Sequence, residues 1–173
     1  MLDLIIRGGN VVTPDGAGEK DVGIQGEQIA VIAAPGTLEV EAKRTIDANG
    51  KIVLPGGIEP HTHIGVNVPD YWAGGRTEVY TQPPESASRA AAFGGVTTYI
   101  DFAGNLPLTA GQAPPADPIM GLVDARRRLF EGHSYTDFAF HYILAGAVSP
   151  QTIGEIGEAI QSGVASFKIF TTF

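Results

Sequence analysis

The sequence predicts an α/β fold: a small, incomplete β-sheet over residues 1–55, then the first four strands of a (β/α)8 TIM barrel over residues 56–173. Three observations predict it. Up to Pro55 the chain consists of short β-rich runs broken by Gly, Asn and Asp. After Pro55 strand-like and helix-like segments alternate. The chain has 173 residues, whereas a closed barrel of this type needs roughly 250.

In chain order, the first part reads LDLIIRGG, NVVTPDG, DVGIQGEQIAVIA and RTIDANGKIVLPG, a series of hairpins. Asp15-Gly16 and Asn49-Gly50 sit between apolar runs where a two-residue turn needs positive φ, and Gly26 marks another turn. Five or six such strands still have open edges at this length, so the sheet is expected to be completed by strands from elsewhere. The second part opens with GGIEPHTHIGV as a strand, followed by a long Gly/Pro loop. ESASRAAAFGG is helical and VTTYIDFAG a buried strand; PIMGLVDARRRLFEG and TDFAFHYILAG repeat the pattern. SPQTIGEIGEAIQSG is the third helix, with Ser149 as N-cap, Pro150 at its first position and Ser162-Gly163 as its stop, and VASFKIFTTF is the last strand. An open doubly wound sheet is the rival, and periodicity leaves it open. The Gly-rich nucleotide turn that fold uses is absent from the sequence.

Composition narrows the function. Lys and Arg number 11 against 19 Asp and Glu, a net charge of −8, which argues against gripping nucleic acid. The run Arg126, Arg127 and Arg128 is expected to be a solvated helix face. With 43% hydrophobic and 17% charged residues the chain can build a core. No apolar run approaches the roughly 20 residues of a membrane span, and Met1-Leu2-Asp3 does not open a signal peptide. The lack of Cys removes disulfides, thiolate metal sites and cysteine nucleophiles, and fits a cytoplasmic location.

Chemistry concentrates at a few positions. His61 and His63 flank Thr62 at the carboxyl end of the first barrel-type strand, where a period of two directs both imidazoles to one side. Two convergent imidazoles can hold a metal, although two polar loop histidines would give the same pattern. Lys168 lies in the apolar run VASFKIF, where an unpaired ammonium is costly. It either reaches solvent or a carboxylate, or remains neutral and takes up carbon dioxide as an anionic, carboxylate-like carbamate. His133 is expected at the surface after a helix, and His141 as a hydrogen-bonded core histidine. Asp101 ends the second strand; it is a candidate hydrogen-bond partner of a metal ligand, or a turn or cap residue.

Together, LPGGIEPHTH, RAAAFGGVTTYIDF and GVASFKIF, with the opening LDLIIRGGNVV and TIDANGKIVLPGG, resemble the amino-terminal part of the dihydropyrimidinase and hydantoinase family, cyclic amidohydrolases of the metal-dependent amidohydrolase superfamily. The resemblance runs through the whole chain and implies that residues 1–55 are part of a small β-sandwich. It implies two divalent metal ions, taken as zinc, with His61 and His63 as ligands of the more buried one and carboxylated Lys168 as the bridge. It also implies hydrolysis of a cyclic amide or imide by a hydroxide shared between the metals. In that family two further histidines and a proton-shuttling aspartate come from later strands, so the catalytic residues are expected downstream of Phe173 and the 173-residue portion is expected to be inactive alone. The resemblance further implies a homotetramer with a small-molecule substrate and neither nucleic-acid nor membrane partners.

Several positions depart from the family pattern or bear on the substrate. Glu59 stands where Asp is common before the Pro-His pair. Phe173 stands where hydantoinases usually carry a substrate-binding Tyr; losing one oxyanion donor costs about 100- to 1,000-fold in rate, so Phe173 puts the usual ring in doubt. Gly65 replaces the Arg of a dihydroorotase-like site. In the lid-like loop from Val66 to Pro84, Val66, Val68, Tyr71 and Trp72 are candidate substrate contacts, with an oligomer contact as the alternative. A noncatalytic tetrameric scaffold on the same fold is the main rival function, and a small self-contained α/β binding domain another.

Overall fold

A computed structural model describes residues 1–68, 79–104, 118–144 and 148–170. The chain divides into two units, Met1–Pro55 and Gly56–Phe173.

The first unit is a five-stranded sheet of β1 (Leu2–Thr13), β2 (Gly16–Gln25), β3 (Gln28–Ala33), β4 (Ala42–Asp47) and β5 (Ile52–Val53). β1, β2 and β3 form two antiparallel hairpins, and the Gly26-Glu27 turn has Gly26 at φ +59°. The expectation of hairpins throughout is corrected for the rest: β4 and β5 both run parallel to β1. Asn49-Gly50 is therefore a step along one edge of β1, although Gly50 does take positive φ, at +70°. The step matches an irregularity in β1, whose pairing with β2 shifts between Ile6 and Gly9. Ala48 donates to the Arg7 carbonyl and Asn10 to that of Lys51, so the ladder resumes beyond the step. Buried Asp21 holds this region, accepting from the Arg7 guanidinium, Gly8 N and Gly36 N at 3.1, 2.8 and 3.0 Å. These bonds fasten the crossover that brings β4 parallel to β1.

The second unit alternates β6 (Gly57–Glu59), α1 (Pro84–Phe93), β7 (Val96–Ala103), α2 (Ile119–Phe130), β8 (Asp137–Leu144), α3 (Pro150–Gln161) and β9 (Phe167–Ile169). All four strands are parallel and lie in the order β6-β7-β8-β9. That order never reverses, so the described sheet has no switch point of the kind that marks a doubly wound nucleotide-binding fold. α1 packs on β7 and α2, and α2 on β7, β8 and α3. Local sequence explains the helix ends: Ser149 Oγ accepts from Thr152 N at 3.1 Å with Pro150 behind it, and α1 stops at Gly94-Gly95, where Gly95 has φ +79°.

The strands' period of two sorts their side chains onto two faces. Tyr99, Asp101 and Ala103 of β7, and Phe138, Phe140 and Tyr142 of β8, lie on the helix side. There Ile119, Val123 and Phe130 of α2 complete the core. Phe102, His141 and Lys168 occupy the opposite face of β7, β8 and β9. No described helix is long and apolar enough to cross a membrane.

Candidate metal centre

β6 ends at Glu59, so His61 and His63 sit just beyond the ladder in a segment that side chains hold in place. Thr62 N donates to the Ile100 carbonyl at 3.2 Å, and the Thr62 hydroxyl to Asp101 Oδ2 at 3.0 Å. Ile64 N donates to the same oxygen at 2.8 Å. With Thr62 and Ile64 fastened on one side, the two histidines turn to the other, where their ring centroids are 5.2 Å apart. Glu59 reaches forward to accept from His61 N at 3.1 Å, a bond its carboxylate makes to the backbone of the segment.

Phe102 forms the floor of the site. Its buried ring lies 4.6 Å from that of His61, 4.9 Å from that of His63 and 4.9 Å from that of His141. Lys168 Nζ stands 4.6 Å over the Phe102 centroid and 3.5 Å from His61 Nε2. It is half-buried, and among the described residues no carboxylate lies within ion-pair distance of it. A cation over an aromatic face gains about 0.5–2 kcal/mol. Loss of water around His63 is the largest cause holding its imidazole below its usual pKa, with the Lys168 charge next. A neutral imidazole is the form that binds metal. Two imidazoles and an amine with no acidic partner thus meet at the carboxyl ends of parallel strands, a donor set that fits a divalent cation once the amine carries an anionic group. No cluster of three or more His, Cys, Asp or Glu forms among the described residues.

The structure differs from expectation at Arg126, and it sets Asp101, a candidate partner of a metal ligand or a turn or cap residue, among backbone and hydroxyl donors. Asp101 makes no described bond to either histidine ring; its carboxylate, with no exposed surface, binds the backbone and hydroxyl beside them. Arg126 turns inward: its Nε and Nη2 bond Asp101 Oδ1 at 3.2 and 2.7 Å, Nη2 also reaches the Ile64 carbonyl, and the guanidinium lies 5.0 Å from the Phe130 ring. A solvated face was expected for all three arginines. The signal was phase, because Arg126 follows Ile119 by seven residues and Val123 by three, on the stripe that ends at Phe130. His133 is exposed, as expected. Tyr71, Trp72 and Phe173 lie outside the described residues. The base of their loop does not: Asn67 and Tyr80 bridge antiparallel, with Val68 N on the Val79 carbonyl at 2.7 Å and Val66 N on Thr81 Oγ1 at 2.8 Å.

The chain is 36% identical over 172 residues to the D-hydantoinase of Streptomyces coelicolor, covering 98% of this chain and 33% of that protein. It is 34% identical over 173 residues to an allantoinase of Solibacter usitatus, covering 98% and 32%. A solved D-hydantoinase (dihydropyrimidinase) from a Thermus species superposes with a TM-score of 0.75 at 30% identity, over 98% of this chain and 33% of that one. The chain matches the amino-terminal portion of the dihydropyrimidinase and hydantoinase family. It spans about a third of the length of these hydantoinase relatives. No family model matches it. The dihydropyrimidinase of Brevibacillus agri superposes with a TM-score of 0.80 at 28% identity, over 100% of this chain and 34% of its own.

Proposed function

We propose that this chain supplies the amino-terminal part of a cyclic amidohydrolase that opens a cyclic amide or imide of the dihydropyrimidine or hydantoin type. The observation that carries the reading is the meeting of His61, His63 and Lys168 above Phe102, with Lys168 lacking a described carboxylate partner. His61 and His63 would hold one divalent ion, zinc in this reading, and Lys168 would reach a second. Carbon dioxide adds to the unprotonated Lys168 amine; a nitrogen–carbon bond forms and one proton leaves, giving a carbamate that supplies the missing anionic ligand. Metal ions bound there would supply an activated water and polarise the ring carbonyl. The chain's own residues fix geometry: Asp101 and Arg126 fasten Thr62 and Ile64, and Phe102 sets the spacing of the two rings and the amine. The relatives' names, hydantoinase, dihydropyrimidinase and allantoinase, support the substrate class. The remaining ligands and the proton shuttle, a homotetrameric assembly, a cytoplasmic location and inactivity of the 173-residue portion alone belong to the same proposal.

Metal analysis of the protein that carries this chain, with hydantoin, dihydrouracil and allantoin as substrates, tests it. The expected result is about two metal ions per chain and ring opening of at least one substrate, both lost in Lys168→Ala. A protein with no stoichiometric metal and no ring opening would instead be the noncatalytic scaffold.

A further inference from the structure

The geometry points to His141 as a positioning residue that fastens the histidine segment to the lysine strand; this rests on the metal-centre reading above. His141 Nε2 lies 2.8 Å from the carbonyl of Pro60, the residue before His61. A carbonyl only accepts, so Nε2 carries the ring proton. Nδ1 lies 2.5 Å from Ser166 Oγ, two residues before Lys168, and in that tautomer it accepts while the serine hydroxyl donates. Ser166 is itself fixed to β8, its carbonyl accepting from Tyr142 N at 3.0 Å. One imidazole thus joins the segment bearing His61 and His63 to the segment bearing Lys168, which are 107 residues apart at His61 and Lys168.

The connection matters because the histidine segment has left the ladder. Beyond Glu59 one backbone bond, Thr62 N to the Ile100 carbonyl, still ties it to β7, and Thr62 and Ile64 are held from the helix side. On the opposite side Glu59 bonds His61 N within the segment, Lys168 reaches the His61 ring, and His141 is the described side chain that bonds the segment's backbone from β8. His141 also lies on Phe102, the ring that touches His61, His63 and Lys168. With both nitrogens engaged, His141 has no lone pair to offer a metal. Its contribution is the distance between donors. Partners that orient metal ligands are commonly worth about 10- to 100-fold in metal affinity.

Two substitutions separate this role from packing. His141→Phe keeps a ring on Phe102 and loses both hydrogen bonds; His141→Gln keeps an N–H within reach of Pro60. Zinc affinity, measured by chelator competition on the protein that carries this chain, is expected to fall about 10- to 100-fold in His141→Phe and less in His141→Gln. Two-bond nitrogen–proton spectra of the metal-free protein should show the Nε2–H tautomer at His141, and His141→Phe should displace the His61 ring signals. The Nδ1–H tautomer, or a folded His141→Phe protein with wild-type zinc affinity and unmoved His61 signals, overturns the proposal. If the wild-type protein binds no zinc, the metal centre falls, and the tautomer and His61 signals alone decide the positioning role.

Discussion

Arg126 shows how much rests on one side chain in this unit. It faces a carboxylate with no exposed surface, and Asp101 in turn holds Thr62 and Ile64 on either side of His63. Removing one member of a buried ion pair strands the other, at a cost of about 3–5 kcal/mol. Arg126→Ala is therefore expected to lower urea-unfolding stability by that order, while Arg127→Ala, whose pair with Asp124 is largely exposed, should change it by about 0.5 kcal/mol or less. Tyr99 carries a separate, pH-linked contribution. Burial raises its phenol pKa, and its hydroxyl lies 2.7 Å from Ser134 Oγ. The fold keeps a proton that the unfolded chain releases, so this contribution is complete below the ordinary phenol pKa and is lost as pH rises through the raised one. Unfolding measured from about pH 9 upward should show wild type losing more stability than Tyr99→Phe.

At the scale of elements, the step shared by β1 and the Asn49-Gly50 turn depends on Gly8. Its φ is +66°, and a Cβ there would lie 2.2 Å from Asn49 Oδ1. Gly26 also has positive φ, at +59°, but a Cβ there would meet nothing within 4 Å. Both Gly→Ala substitutions impose left-handed strain of about 1–2 kcal/mol, so Gly8→Ala should exceed Gly26→Ala in loss of melting temperature by the cost of the added clash. The same comparison explains what the sequence disclosed. Helices α1, α2 and α3 and the Ser149-Pro150 start were legible because their signals are local: a cap, a proline, a pair of glycines. Asn49-Gly50 looked like a hairpin turn because two residues cannot say whether the next strand turns back or continues along a third. Partnership with β1, more than thirty residues earlier by number, decided it. The resemblance puts His61, His63 and Lys168 at one site, and strand period turns the two histidines to a common side. The inward turn of Arg126 and the two partners of His141, expected only to be hydrogen-bonded, were not legible, since each needs a partner from a distant strand or loop.

For the molecule as a whole, the parallel sheet carries its chemistry on one face and its helices on the other, and its outer strands are short. Among the described residues, β6 and β9 each pair on one side only, and Ile58 and Ile169 are 65% and 66% exposed. Strand edges of this kind invite pairing with another chain. The 173-residue chain expressed by itself is expected to associate with rising concentration in sedimentation velocity, and Ile169→Lys to reduce that association; a monodisperse monomer would show the edges to be covered. The unreversed order β6-β7-β8-β9 also bears on how the protein is made. Each strand pairs with the one translated before it, so a chain emerging from the ribosome never has to hold a gap open for a strand still to come. The lysine then arrives last among His61, His63 and Lys168, onto a sheet where the two histidines and the phenylalanine floor are already laid down.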